Sequence, residues 1–296
     1  MIIISIGEIL WDVIGSIEHL GGAPFNFAAH ASKLGHDVHF ISAVGTDARG
    51  ARALSAMREM NLTARYIARV PHQPTGCVTV SVDDPDQPAY VIHRPAAYES
   101  PQLSEEDFAA LLSPPPYCIY FGTLAQMSLR VRSVTMRLIH SNPNAFRFYD
   151  VNLRVDSYNP SLVQELMSCA SIVKMNASEA IEVDRLFGEG PSSLERFCRR
   201  YAEKFQWGAV CVTRGPEGCV LLINGNYVES KGYAVRVADA VGAGDAFAAA
   251  LLNGIGENWA PGRIADFANR IGAVVAGRSG AIPAWTPADA SALANS

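Results

Sequence analysis

The sequence predicts an α/β fold: a mainly parallel central sheet with helices on both faces, and a small antiparallel β lid. Three observations carry this. Short apolar runs recur at 2–6, 38–44, 117–121, 146–151, 171–175, 209–213 and 219–223. Between many of them lie segments of helical period, at 23–34, 104–112, 128–140, 192–205, 243–255 and 262–277. Strands alternating with helices build a parallel sheet, because each crossover helix packs back onto the sheet it leaves. Finally, the stretch from Thr63 to Tyr98 breaks the alternation, with strand-like runs and turn signals but no helix.

The first run, Ile2-Ile3-Ile4-Ser5-Ile6, is a short buried strand that meets Gly7-Glu8 at once. It has no basic leader and is too short for a signal peptide, and no later run approaches the ~20 apolar residues of a membrane span. Segment 12–20 is expected to add a strand to the lid. Helix 23–34 sets Phe27, Ala28, Ala31 and Leu34 in register and stops at Gly35, the residue type that closes helices. Within the break, Tyr66–Val70, Cys77–Val82 and Tyr90–Arg94 read as strands, and Asp83-Asp84-Pro85-Asp86 as a hairpin-like turn. Together 12–20 and 63–98 are read as a lid over one end of the parallel sheet, with a decorated sheet edge as the alternative. Helix 104–112 opens on Ser104 with Asp107 three places on, which resembles a capping box. The later helices follow from period alone. No internal repeat divides the chain, and residues 1–296 are expected to form one domain.

Composition narrows the function. With 24 Lys+Arg against 29 Asp+Glu, the net charge is -5, unlike the basic face of a nucleic-acid binder. Hydrophobic residues make up 49% and charged residues 18% of 296, enough for a core without disulfides or metal. The six cysteines (Cys77, Cys118, Cys169, Cys198, Cys211, Cys219) include no C-x-x-C pair and read as buried thiols in a reducing cytoplasm. The seven histidines show no metal spacing and none is assigned to catalysis. Neither a P-loop nor a G-x-S-x-G elbow occurs.

The sharpest segment is Asp239-Ala240-Val241-Gly242-Ala243-Gly244-Asp245, running into an Ala-rich helix. Small residues at a helix start bare consecutive backbone N–H groups, an anion site. Asp245 is either a first-turn residue stabilised by the helix dipole or a base beside that anion hole. In Gly21-Gly22-Ala23-Pro24-Phe25-Asn26 the glycines allow close approach of a ligand, Pro24 starts a helix and Asn26 points back toward the turn. Asp12 is the nearest carboxylate, placed at the end of the first strand, where ligands of parallel sheets bind. Asn176 and Glu179, after the apolar 171–173, form either a helix cap or a pair of oxygen ligands for a hydrated Mg²⁺. In Asp150-Val151-Asn152-Leu153-Arg154, strand alternation would put Asp150, Asn152 and Arg154 on one side, with Arg154 facing a substrate or solvent. The turn Thr213-Arg214-Gly215-Pro216-Glu217-Gly218 could face a nucleotide phosphate and is equally a hairpin.

Taken together, these segments resemble the ribokinase (PfkB-type) carbohydrate kinases over essentially the whole chain. Asp239–Asp245 resembles that family's C-terminal signature, Gly21-Gly22 with Asn26 its sugar-binding signature, and Asn176 with Glu179 its N-x-x-E motif. Gly7–Asp12, Gly21–Asn26, Gly122–Ala125 and Asp150–Arg154 look most like bacterial fructokinases. The resemblance implies a three-layer ribokinase-like sandwich and an ATP-dependent sugar kinase, with fructose the first choice of substrate. Kinases of 2-keto-3-deoxygluconate, ribose or a nucleoside are the alternatives, and a non-catalytic sugar or nucleotide sensor is the alternative outside enzymes. It implies Asp245 as catalytic base; Gly242, Ala243 and Gly244 as anion hole; Asp12, Gly22, Asn26 and Arg154 at the sugar, with His93 and Arg94 as lid contacts. Asn176, Thr213, Gly215 and Gly218 would serve ATP, Asn269 would lie near the adenine, and Glu179 would hold Mg²⁺ through water. Asp239 marks a K⁺ site, although Ala240 stands where the signature commonly has Thr. A cytoplasmic homodimer joined through the lids, without nucleic-acid or membrane partners, completes the expectation.

Overall fold

The structure is a computed structural model that describes residues 1–81, 89–188, 190 and 192–293. The expected turn Asp83–Asp86 lies outside the described residues. The chain enters through β1 (Ile2–Ile6), makes a hairpin of β2 (Leu10–Ile14) and β3 (Ile17–Gly21), and returns through α1 (Ala23–Lys33) to β4 (Asp37–Gly45). Next come α2 (Ala48–Glu59), β5 (Ile67–Val70), β6 (Gly76–Ser81), β7 (Ala89–His93) and α3 (Glu105–Leu111). Alternation resumes with β8 (Cys118–Gly122), α4 (Thr123–Gln126), α5 (Leu129–Ser141), β9 (Phe146–Asp150), α6 (Pro160–Cys169), β10 (Ile172–Asn176), α7 (Ala177–Phe187) and α8 (Leu194–Phe205). The chain closes with β11 (Ala209–Thr213), β12 (Cys219–Ile223), β13 (Asn226–Ser230), α9 (Ala243–Gly256), α10 (Pro261–Ala276) and α11 (Pro287–Ala292).

The main sheet has nine strands in the order β13-β12-β11-β10-β9-β8-β1-β4-β5. Its pairs are parallel from β11 to β5, and only β12 runs against its neighbours. Alternate side chains of each strand enter two cores. Ile3, Phe40, Tyr120 and Phe148 pack with α1 and α9, whereas Ile4, Ile41, Phe121 and Tyr149 pack on the opposite side. Each such buried side chain contributes about 1.5–3 kcal/mol. The result is the three-layer sandwich expected. Among the described residues, no helix is long and apolar enough to cross a membrane.

The lid is a four-stranded sheet, β3-β2-β6-β7, antiparallel except for its central β2–β6 pair. Two sequence expectations are corrected here. Residues 67–70, read with the lid, instead extend the main sheet in parallel to Ser42–Gly45, because Ile67 and Val70 are buried. Asp12 is not at the end of the first strand but inside β2, since the chain leaves β1 at Ile6 and rises through Gly7–Ile9 into the lid.

The sheet turns its order at β1: the chain builds β4 and β5 on one side, then crosses to β8 and beyond on the other. Ligands of open α/β sheets bind beyond the carboxyl ends of strands at such a reversal. The lid rises from this end, as do the N-termini of α1, α7 and the crossover from β9.

Candidate active site

Helix α9 starts abruptly. Its N-cap is Gly242 at φ +79, a left-handed conformation costly for other residues, and a Cβ there would also collide with the Ala281 carbonyl. No side chain caps this end. The first amides of a helix have no partner within it: the Ala243 amide makes only a long 3.4 Å bond back to the Ala240 carbonyl, and the Gly244 amide follows it at the positive end of the dipole. Ala246 to Ile255 are buried, which fixes the helix as an internal post.

Asp245 sits in the first turn, and its carboxylate does not cap the helix. Oδ2 instead accepts a hydrogen bond of 2.8 Å from Asn26 Nδ2 on α1. Burial pushes its carboxyl up to about 6, with Lys174 opposing, Asp150 reinforcing, and Asn26 and Arg154 also opposing. Gly22, at φ +111, is the N-cap of α1, and a Cβ there would lie 2.5 Å from the Glu8 carbonyl oxygen. Across the turn, a Cβ on Gly21 would lie 3.0 Å from Asp12 Oδ2 and 3.8 Å from Asn26 Oδ1. Asn26 Oδ1 is buried and unpartnered. Asp12, Asn26 and the paired glycines therefore form one wall, with Asp245 at its inner edge. Burial raises the Asp12 carboxyl, against Arg154 and His19.

The structure adds groups that the sequence reading missed. Lys174 on β10 is buried, and its Nζ donates to both oxygens of Asp150, at 3.1 and 2.9 Å. Tyr120 donates to Asp150 Oδ2 at 2.9 Å. A Cβ on Gly244 would lie 3.4 Å from Lys174 Nζ, so this ammonium lies beside the first turn of α9. Burial opposes its charge, but Asp150, Glu179 and Asp245 outweigh that and hold its pKa above the usual value. A lysine inside an apolar strand was the available signal, since buried charges need partners. Glu8 is also buried; its Oε2 has no partner, and burial pushes its carboxyl up to about 7 against Arg154 and backbone amides.

Other expected residues take more local partners. Asn176 ends β10 and caps α7; its Oδ1 accepts from the Glu179 amide at 2.9 Å while Glu179 Oε2 accepts from the Asn176 amide at 2.7 Å. Glu179 Oε1 also accepts from the Leu153 amide at 3.0 Å. The capping-box reading of N-x-x-E is thus realised. A carboxylate has about four lone-pair positions, so a hydrated Mg²⁺ still fits Glu179 through water. Thr213 is the register partner of Asn176, which brings both to one rim, and Gly215–Gly218 turns the chain into β12 as a hairpin. Asn269 on α10 donates to Ser230 and to the Lys231 carbonyl, so it ties down the strap after β13. Asp239 accepts from Val241 and Gly280 amides and staples the loop that leads into α9.

Alternation does not carry past Asp150: β9 ends there, and Asn152 has φ +36. Asp150 turns inward to Lys174, while Arg154 is exposed and makes no ion pair among the described residues. Arg94 is clamped by Glu99 through two bonds of 2.9 Å, and His93 Nε2 lies 2.6 Å from Thr79 Oγ1.

One buried group makes an acid-stability prediction. His30 is fully buried, and burial pushes its pKa from 6.5 down to about 4. The unfolded chain takes up the proton first, so this contribution is intact above pH 6.5 and fades as pH falls toward 4, by about 3 kcal/mol in all. Urea melts of wild type and His30→Gln should show a stability gap that narrows over this window. A constant gap would contradict it.

The fold and this constellation define a carbohydrate kinase. The chain belongs to the pfkB family carbohydrate kinases, whose profile matches residues 17–288. It is 29% identical over 271 residues to an uncharacterized sugar kinase of Pyrococcus horikoshii, covering 86% of this chain and 82% of that one. The crystal structure of that kinase superposes with a TM-score of 0.82, covering 99% of both chains. It is 26% identical over 282 residues to a fructokinase of Escherichia coli, covering 89% of this chain and 88% of that one. A fructokinase of Xylella fastidiosa with bound ATP shares the fold at a TM-score of 0.87 and 21% identity, over 99% and 98% of the two chains.

Proposed function

We propose that this kinase transfers the γ-phosphoryl group of ATP to a primary hydroxymethyl of a small neutral sugar, fructose first. The observation that carries the reading is the Asp245 carboxylate, held by Asn26 rather than spent on capping, beside the uncapped amides that follow Gly242. Phosphoryl transfer asks the protein chiefly to position groups and neutralise charge. The acceptor hydroxyl gives its proton to Asp245, its oxygen attacks the γ-phosphorus, and ADP leaves. Amides of Gly242, Ala243 and Gly244 receive the transferred oxygens. Asp12, Gly22, Asn26 and Arg154 hold the sugar, and the unpartnered Asn26 Oδ1 is an acceptor for one of its hydroxyls. Asn176, Thr213, Gly215 and Gly218 line the ATP rim, with Asn269 supporting it. Bound Mg²⁺ supplies neutralisation of phosphate charge, and Glu179 would hold it through water. Asp239, whose two oxygens already accept the Val241 and Gly280 amides, would order the loop beside a K⁺ site.

Charge supports a neutral acceptor over an acid such as 2-keto-3-deoxygluconate. The wall carries the carboxyls of Asp12, Glu8 and Asp245 against a single cation without an ion pair among the described residues, Arg154, and Arg94 is already neutralised by Glu99. A substrate panel followed by ADP release tests this. Fructose should give the highest kcat/KM. A sugar acid, ribose or a nucleoside in first place would overturn the fructose assignment, and no turnover of any acceptor would overturn the kinase reading. Asp12→Ala should raise the KM for sugar roughly 10-fold or more, as expected for one lost charge-assisted hydrogen bond, and leave the KM for ATP in place. A change confined to ATP would put Asp12 on the wrong side of the site.

A further inference from the structure

Helix α1 carries three polar residues on one stripe, Asn26, His30 and Lys33, at i, i+4 and i+7. Each is bonded to the C-terminal part of the chain. Asn26 holds Asp245. Lys33 Nζ donates to the carbonyls of Pro283 at 2.5 Å and Ile282 at 3.4 Å. His30 lies between two partners: Trp285 Nε1 donates to its Nδ1 at 3.0 Å, and its Nε2 lies 3.0 Å from the Ala281 carbonyl oxygen. An indole N–H can only donate, so Nδ1 must accept, and the ring proton sits on Nε2 and is given to Ala281. Burial favours the neutral ring this requires; the Lys33 ammonium adds to that and the Ala281 carbonyl opposes it.

Ala281 is no ordinary acceptor. It is the group against which Gly242, the first residue of the anion loop, packs too closely for any side chain. Its neighbour Gly280 is bonded at 3.2 Å to Asp239, whose other oxygen accepts from Val241 at 3.0 Å. Residues 280 and 281 therefore form the back wall of the loop at 239–242.

We propose that His30 is a positioning residue: by holding Ala281, it makes the strap at 280–285 a fixed back wall for the Gly242–Gly244 amides. The helix that binds the acceptor sugar thus also sets the geometry of the phosphate-receiving loop. The kinetic consequence rests on the kinase reading above; the structural one does not. Phe at position 30 keeps a ring but leaves the Ala281 carbonyl and the Trp285 N–H unpaired, whereas Gln retains a donor and an acceptor.

Hydrogen exchange and steady-state kinetics test this together. In folded His30→Phe, amides of 240–246 should exchange roughly 10-fold faster, while those of β8 to β10 keep their wild-type rates. Its kcat should fall about 10- to 100-fold with little change in the KM for sugar, as for a small misplacement of reacting groups. His30→Gln should recover most of both. If His30→Phe does not fold, Trp285→Phe, which frees Nδ1 and the tautomer, should give the same local exchange signature. Folded variants whose 240–246 amides exchange as in wild type, or whose kcat is unchanged, would overturn the clamp. If wild type phosphorylates no acceptor yet the exchange result holds, the kinase reading fails and the clamp stands.

Discussion

Asp245→Asn should fold normally and lose roughly 10²–10⁴-fold in kcat, the usual contribution of a positioned general base. The amide can still accept from Asn26, so the contact of α1 with α9 survives while the proton acceptor is gone. The same substitution should not cost stability. In the folded protein the carboxyl is pushed from 3.8 up to about 6, so the native state holds its proton more tightly than the unfolded chain. Stability from this group is therefore present below pH 3.8 and lost as pH rises through about 6. At neutral pH the ionised group costs up to about 3 kcal/mol, which the neutral amide avoids. Thermal melting at pH 7 should place the variant at or above wild type. Near wild-type turnover would remove Asp245 from the chemistry, and a large drop in melting temperature would make it a structural residue.

Lys174→Met has the largest expected effect on stability. The ammonium and Asp150 are buried together, at 9% and 1% side-chain exposure. Removing one partner of such a pair strands the other charge and costs about 3–5 kcal/mol, whereas replacing both with neutral groups costs far less. Asp150→Asn added to Lys174→Met should therefore restore much of the loss in urea unfolding, with Tyr120 still able to donate to the Asn oxygen. Simply additive losses would mean that the two charges do not support one another. Activity carries a second signature. Lys174 lowers the Asp245 pKa, so the single variant's kcat should fall away at a higher pH than wild type, whose acid limb is expected near 6.

What could be read in the sequence was local. The anion loop and the Gly21-Gly22 turn are each made by consecutive residues, so residue type and spacing determine their geometry. The groups behind them come from distant positions. Lys174 meets Asp150 across 24 residues and Tyr120 reaches Asp150 across 30, separations that no periodicity reports. Segment 12–20 is expected in the lid and lies there, but Asp12 is not at the end of the first strand: the chain leaves β1 at Ile6 and has entered β2 by Leu10, a short rise that no periodicity reports. Arg94 is expected as a lid contact to the sugar, and nothing in its own neighbourhood indicates that Glu99 turns back through a helical turn to clasp it. Helices α2, α4, α6 and α11 are absent from the sequence expectation, although two of them carry signals in plain view: Asp47 caps α2, and Asn159 with Pro160 opens α6. His30, one of seven histidines without metal spacing, gains meaning only from Ala281 and Trp285, more than 250 residues away.

The central claim concerns where two reactants meet. A crystal structure of wild type with fructose and a non-hydrolysable ATP analogue tests it most directly. A primary sugar hydroxyl should lie within about 3 Å of an Asp245 carboxylate oxygen, with the terminal phosphate over the amides of Gly242 to Gly244. A hydroxyl directed elsewhere, or a terminal phosphate bound away from this helix start, would contradict the account.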